Sequence, residues 1–373
     1  MKNTTPPSTL SLAILCIVNE LFVIKYSFRV GAALTVLFAS SYAVFFAATP
    51  VLVSRWNKGL FKRRYAVACA AAFTLALAGA LRFINVETIM NDRWSVINAF
   101  FGNLFSGVYP YLAQSNQANQ PGPFPFYFVL AFPFYLLGDV GFMVLCSFAA
   151  FFAVLARRGA DVRTLCVQTL LLVTSPALMY EVIARSTVFF NMALIVLYLF
   201  WLEKDSDSGR RGCFWPGVVG GLLLSTRAIA ALPLACYLSY DLLRHRKVYP
   251  YAKTVLGMGV GFCLTFTPLL LWGWHAFTQK NPIFLQSAFS PLPVTAAFVA
   301  LSVGGGLFVK SFEGCLRLCG ILLFLIVATS TVLAGMEYGW YRGFFDSKFD
   351  ISYFIFSLPF LAASIRIKSK VPT

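Results

Sequence analysis

Long apolar runs separated by short polar breaks occupy almost the whole chain. The first, Leu10 to Ile24, leads through Lys25 and Arg29 to a second run from Val30 to Val53. A basic break, SRWNKGLFKRR, carries Arg55, Lys58, Lys62, Arg63 and Arg64, and a third run covers Tyr65 to Ile84. Further runs cover Thr164 to Tyr180, Val188 to Leu202, Phe214 to Leu224, Ala228 to Leu242, Thr254 to Trp274, Val294 to Phe308, Ile321 to Tyr338 and Ile351 to Ser364. A bilayer core needs roughly 20 apolar residues in a helix to cross it. Inside that core a helix satisfies every backbone polar group within its own segment. The pattern therefore predicts an all-α, polytopic transmembrane bundle of about a dozen spans.

The polar breaks set an expected orientation. Basic loops stay on the cytoplasmic side, which places Arg55–Arg64, then Arg157, Arg158 and Arg163, then EKDSDSGRRG, RHRK and the Lys310/Arg317 break there. Both termini then fall in the cytoplasm. Two apolar stretches lie between Pro123 and Arg157, and the alternation of sides requires that one of them not cross. The first is short and carries Pro125 and Pro133, so it is expected to lie only partly in the membrane.

One segment breaks the rule. Asn85 to Gly138 is polar at first, rich in Asn, Gln, Pro and aromatics, and far too long for a tight turn. Long connections in compact proteins are commonly functional. Within it Trp94, Val96, Ile97, Phe100, Phe101, Leu104 and Phe105 recur at the spacing of an amphipathic helix lying in the interface. The topology delivers residues 85–123 to the non-cytoplasmic face, as a large first outer loop.

Composition agrees with the membrane reading. Of 373 residues 59% are hydrophobic and only 12% charged, about half the charged share of a soluble domain. The net charge of +16 resides in the cytoplasmic breaks, where anionic headgroups are the partner, so nucleic acid is not implied. The nine cysteines form no disulfide framework and no metal-ligand spacing; Cys315 and Cys319 share a helix face. No HExxH, P-loop, GxSxG or CxxC occurs, which removes zinc hydrolysis, ATP hydrolysis and Ser-His-Asp acyl transfer. The first run lacks a small-residue cleavage site and reads as a retained span.

Candidate chemistry concentrates at the outer ends of the spans. Asp92 is almost the only acid in the long outer segment, and a partly desolvated carboxylate there can act as a general base. Arg93 is its neighbour. Trp94, Tyr109 and Tyr111 offer flat faces for a sugar ring, although interfacial belts also collect these residues. Glu181 and Arg185, four apart, pair with each other, or Arg185 grips a phosphate in a bidentate way. Arg227 stands between two apolar runs with almost no loop; such a charge faces a cavity or snorkels to the headgroups. Glu20 lies inside the first run, where it stays protonated, pairs with Lys25 or belongs to a transport path. His275 reads as interfacial. Asp346 and Asp350 flank Lys348 in the last outer loop, either solvated or adding acid to the site.

Taken in order, several short elements resemble the GT-C superfamily of polytopic glycosyltransferases, especially bacterial members that use polyprenyl-phosphate sugars. They are D-R-W-S-V-I-N-A-F from Asp92, L-F-S-G-V-Y-P-Y from Leu104, P-G-P-F-P-F-Y-F, P-F-Y-L-L-G, E-V-I-A-R-S-T with Asn191, and W-P-G-V-V-G-G-L-L-L-S-T-R ending at Arg227. The likeness covers roughly Met90 to Lys247. It departs from the family where Thr187 stands in place of an acid, where Asn91 precedes Asp92, and in two extra N-terminal helices.

The resemblance implies inverting transfer of a sugar from a polyprenyl-phosphate donor to a glycan or lipid acceptor in the cell envelope. Asp92 would be the base, Arg185, Arg227 and Arg93 would hold the phosphate, and Trp94, Tyr109, Tyr111 and Glu181 would line the sugar site. It requires no nucleotide or other cofactor, and metal dependence is left open. The chain then divides into an N-terminal hairpin with its basic loop (1–64), a catalytic module (65–250) and C-terminal helices (251–373). Competing readings are a flippase for lipid-linked saccharides, with Glu20 in its favour, and a non-catalytic membrane scaffold.

Overall fold

A computed structural model describes residues 8–55, 62–89, 91–158, 161–207, 214–245, 248–287, 290–346 and 349–367. Lys58, Cys213, Lys247 and Lys348 lie outside them. All regular structure among the described residues is helical. In chain order the α-helices are α1 (Thr9–Ser27), α2 (Ala32–Arg55), α3 (Arg63–Phe83), α4 (Arg93–Phe105), α5 (Pro125–Leu136), α6 (Gly141–Arg157), α7 (Val162–Val173), α8 (Pro176–Ile183), α9 (Val188–Asp207) and α10 (Phe214–Leu224). They continue with α11 (Ala231–His245), α12 (Val248–Trp272), α13 (Trp274–Gln279), α14 (Pro282–Ser287), α15 (Leu292–Phe308), α16 (Phe312–Tyr338), α17 (Trp340–Phe344) and α18 (Leu358–Ser364), the last preceded by a 3-10 turn, Ile351–Ser357.

Among the described residues five helices are long and apolar enough to cross a bilayer, or up to eight spans if each sharply bent helix pair counts as one. The expected dozen is therefore not reached, and the reason is geometric. Helices rise about 1.5 Å per residue, so 11-residue α10 and 12-residue α5 are much shorter than a bilayer core. The run from Thr164 is broken into α7 and α8 with a 52° bend, where Ser175 caps α8 and Pro176 opens it. The proline-led α5 turns 108° from α6. Asp139 fixes that corner by accepting the Gly141 N–H at 2.7 Å.

The first helix is no peripheral addition. Ile14, Leu15, Val18 and Phe22 of α1 are buried in the main core. Asn19 accepts from Ser175 Oγ at 2.6 Å, and Ser11 bonds Ser364 at 2.9 Å, so α1 is tied to both α8 and α18. By contrast α10 and α12 meet through glycines. A Cβ on Gly221 would stand 2.0 Å from the Met258 carbonyl oxygen, and one on Gly261 2.2 Å from that of Val218. Absence of side chains lets these two backbones touch, as small residues do between membrane helices.

The basic helix ends gather at one end of the bundle. Arg158 lies over the rings of Phe200 and Phe312, Arg244 pairs with Glu203, and Arg366 with Glu313. At the opposite end, the last turn of α1, the start of α4 and the loop after it, Tyr127 of α5, Tyr180 of α8, Arg227 and the 3-10 turn before α18 enclose a cavity.

Candidate functional site

The long polar segment folds as its pattern predicts. Asn85 caps a short 3-10 turn, and α4 follows at once, burying Val96, Ile97, Phe100 and Phe101 on one face. Opposite that face packs an aromatic cluster: Phe100 stacks on Phe128, with Tyr111, Phe124, Tyr127 and Phe266 around them. The cluster fastens the segment to the bundle without a regular sheet or long helix. Backbone bonds do the rest. Phe124 and Phe126 donate their N–H groups to the carbonyls of Thr226 and Ser225, both at 3.0 Å. The P-G-P-F-P-F element is thereby docked on the S-T-R turn, two elements a hundred residues apart in the chain.

Between them lies a cavity of about 660 Å³. Four cations line it, Lys25, Arg29, Arg93 and Arg227, against two carboxylates, Asp92 and Asp350. Four tyrosines, Tyr26, Tyr127, Tyr180 and Tyr353, face it too. Its wall thus favours an anionic ligand that also carries surfaces able to stack.

Asp92 sits just before the first turn of α4, half-buried in this cavity. Its Oδ2 accepts from Asn119 Nδ2 at 2.6 Å and from Ser115 Oγ at 3.1 Å. Both bonds fall on one oxygen, and Oδ1 has no hydrogen-bond partner among the described residues. Ser115 in turn takes the N–H groups of Gln117 and Asn119, so the loop after α4 is folded around this carboxylate.

Arg227 stands in extended backbone between α10 and a 3-10 turn that opens α11. Its guanidinium carbon lies 5.9 Å from the ring centres of Tyr127 and Phe356. Nε is shielded from solvent and has no hydrogen-bond partner among the described residues. No carboxylate in the described chain pairs with it. A guanidinium desolvated in this way costs free energy unless an anion joins it. Beyond Arg227 opens a second space of about 220 Å³, mostly apolar, bordered by Ile229, Leu232, Ile283, Val299, Ile326 and Phe356. Gly122, Arg227 and Tyr353 border both spaces. Gln286 holds the partition in place, accepting from Ala228 N at 2.8 Å and donating to Gly122 O at 2.7 Å.

Arg93 also faces the cavity, but its charge is committed. It pairs with Asp350 and donates to Ser352 Oγ at 2.6 Å and Ser186 Oγ at 3.1 Å, with its guanidinium over Tyr353. Burial works against the charge on Arg93, and the Asp350 carboxylate more than offsets it, holding the guanidinium pKa above its ordinary value. For Asp350 burial pushes the pKa up, while Arg93 and the Ser352 N–H pull harder, leaving it below the usual carboxylate range. Asp350 is thus the acid that the last loop contributes, as an ionised partner for Arg93.

The remaining sequence-derived residues go elsewhere. Arg185 is 1% exposed and does not line the cavity. Its guanidinium is filled by Asp139 at 2.9 Å and by the carbonyls of Leu81, Ile84 and Ile183. It holds the end of α3 to the α5–α6 corner and leaves no donor fork for a phosphate. Its backbone φ of +51° is uncommon for a non-glycine residue, and these bonds hold it there. Glu181 does not pair with Arg185; it is fully buried and accepts the Phe189 N–H at 2.7 Å, capping α9 from below. Trp94, Tyr109 and Tyr111 belong to the aromatic cluster or its edge rather than to the cavity wall. Tyr111 donates to the Pro123 carbonyl at 2.9 Å. Glu20 is sheltered in α1, and its oxygens have no hydrogen-bond partner among the described residues. His275 is exposed beside Gln279.

Sequence reasoning missed Lys25, Tyr26 and Arg29 as cavity residues because they end a helix taken for an accessory. It missed Tyr127 and Thr187 as a pair; their hydroxyls lie 2.7 Å apart at the cavity wall. Thr187 marked the place where the resembled family carries an acid, and that departure was the available signal. No family model, curated protein or solved structure matches the chain.

Proposed function

We propose that this protein is a membrane glycosyltransferase that takes a sugar from a polyprenyl-phosphate donor and passes it to a glycan or lipid acceptor on the non-cytoplasmic side. The observation that carries the reading is the shared cavity of Asp92 and Arg227. An acid with an open oxygen and an unpaired guanidinium face the same space, and the guanidinium stands where that space meets an apolar one. A lipid phosphate suits the junction: its charge against Arg227, its first isoprene units along Ile229, Leu232 and Val299, its sugar toward Asp92.

In the reaction Asp92 takes the proton of the acceptor hydroxyl as that oxygen attacks the anomeric carbon. The bond from that carbon to the phosphate oxygen breaks, and its electron pair leaves with the lipid phosphate. Arg227 lies against that developing charge, which is where electrostatic stabilisation contributes most. Arg93, already neutralised by Asp350, keeps Asp350 and Tyr353 in position and adds little attraction of its own. Arg185 has no part in the step. The cavity lies at the end of the bundle opposite the gathered basic residues, and the positive-inside rule puts that end outside the cytoplasm.

The test is donor turnover. Protein in lipid nanodiscs is offered a panel of polyprenyl-phosphate sugars with acceptor lipids, and donor loss is followed by mass spectrometry. Asp92→Asn is expected to lower turnover by at least about a hundredfold, the lower range for losing an acid–base group, with donor binding retained. Arg227→Met is expected to weaken donor binding itself. Full turnover in Asp92→Asn would remove the proposed base. Translocation of the donor across the disc-equivalent liposome without its cleavage would favour the flippase instead.

A further inference from the structure

Three cysteines from two separated helices meet in the core, away from the cavity. Cys236 of α11 and Cys315 and Cys319 of α16 have their sulfurs all within 4.8 Å of one another, and all three are buried. Cys236 and Cys315 Sγ are 3.9 Å apart, well beyond a disulfide bond of about 2.05 Å. Cys315 and Cys319 are one helical turn apart, so both side chains lie on one face of α16. Cys236 meets that face with its side chain, while its backbone touches α15: a Cβ on Gly306 would stand 2.3 Å from the Cys236 carbonyl oxygen.

We propose that this trio is a structural binding site for a thiophilic divalent cation of the zinc class. Tetrahedral zinc thiolates have Zn–S distances of about 2.3 Å, which sets neighbouring sulfurs about 3.8 Å apart. Cys236 and Cys315 already stand at that spacing, and a small rotation of Cys319 completes the triangle. Without a metal, the Cys319 thiol is within 3.9 Å of the Pro233 carbonyl oxygen, to which it can donate. Thiolate donors select a soft or borderline metal over magnesium or calcium. Each thiol loses its proton to solvent on binding, and a divalent ion leaves one net negative charge on three thiolates, whereas a monovalent ion would leave two. The lower buried charge favours the divalent ion. Bound there, the metal clamps α11 to α16, and α11 is the helix whose first turn follows Arg227.

The experiment uses the full-length protein in detergent, reduced and chelator-treated, with accessible thiols such as Cys69, Cys146 and Cys263 blocked by maleimide in the folded state. Cd(II) and Zn(II) are the probes. Expected is one metal per chain, a thiolate-to-Cd(II) charge-transfer absorption, and a rise in unfolding temperature with Zn(II). Cys236→Ala, Cys315→Ala and Cys319→Ala should each remove the stoichiometric binding, and Cys166→Ala, a buried thiol outside the trio, should not. Should those variants fail to fold, X-ray absorption of the blocked wild type with Cd(II) decides the matter by its number of sulfur neighbours, three being expected. No binding to the blocked protein, binding that survives the alanine variants, or fewer than three sulfurs would overturn the site.

Discussion

At the scale of single residues, the difference between Arg185 and Arg227 is one of partners. Both follow a short helix beside small polar residues, and the resemblance implies a phosphate-binding role for both. Arg185 has a carboxylate and three carbonyls around it, so its charge is already used. Arg227 has ring faces and an unsatisfied Nε, so its charge is available. The two should therefore fail differently. Arg185→Met leaves Asp139 without its cation and three carbonyls without a guanidinium donor, and should cost on the order of 3 kcal/mol in stability, as removal of one partner of a buried pair does. Thermal unfolding in detergent measures this, and Arg227→Met should leave the midpoint unchanged or raise it. Equal losses in both variants would contradict the division of roles. Asp92 was legible as a candidate because acids are so scarce in the outer loop. Asp139 was not, because nothing in P-F-Y-L-L-G-D tells a helix-corner acid from a solvated one.

At the scale of elements, apolar periodicity located nearly every helix but counted more of them long enough to cross than the described residues contain. Run length cannot reveal a bend, and the breaks at Ser175–Pro176 and at Gly138–Asp139 come from capping and proline geometry within apolar sequence. The α4 helix was readable because its apolar residues recur on one face. The close α10–α12 contact was half-readable: G-M-G-V-G-F pointed to packing, and the structure separates its glycines. Gly257 and Gly261 meet backbone, whereas a Cβ on Gly259 would meet nothing within 4 Å. Gly221→Ala and Gly261→Ala should each cost about 1–3 kcal/mol, the range for overpacking, while Gly259→Ala should change stability by no more than about 0.5 kcal/mol. Unfolding midpoints of the three variants provide the comparison, and a Gly259 variant as damaged as the others would refute the packing account.

For the whole molecule, the separation of a basic end from a cavity end predicts sidedness. A cysteine at Gln117, exposed in the loop around Asp92, should react with an impermeant maleimide added to intact cells. A cysteine at Lys204, exposed at the far end of α9, should react only after permeabilisation; labelling of both from one side would reverse or abolish the assignment. By itself the amino-acid sequence determined that the chain is a helical membrane protein, where its long polar segment lies along the chain, and that Asp92 and Arg227 merit attention, because hydropathy and charge act locally along the chain. Tertiary structure alone decided which charges are already neutralised, that the N-terminal helix supplies a wall of the cavity, and that three distant cysteines share one point. Those outcomes depend on which helix ends meet in space, and each is settled by contacts between residues far apart in the chain.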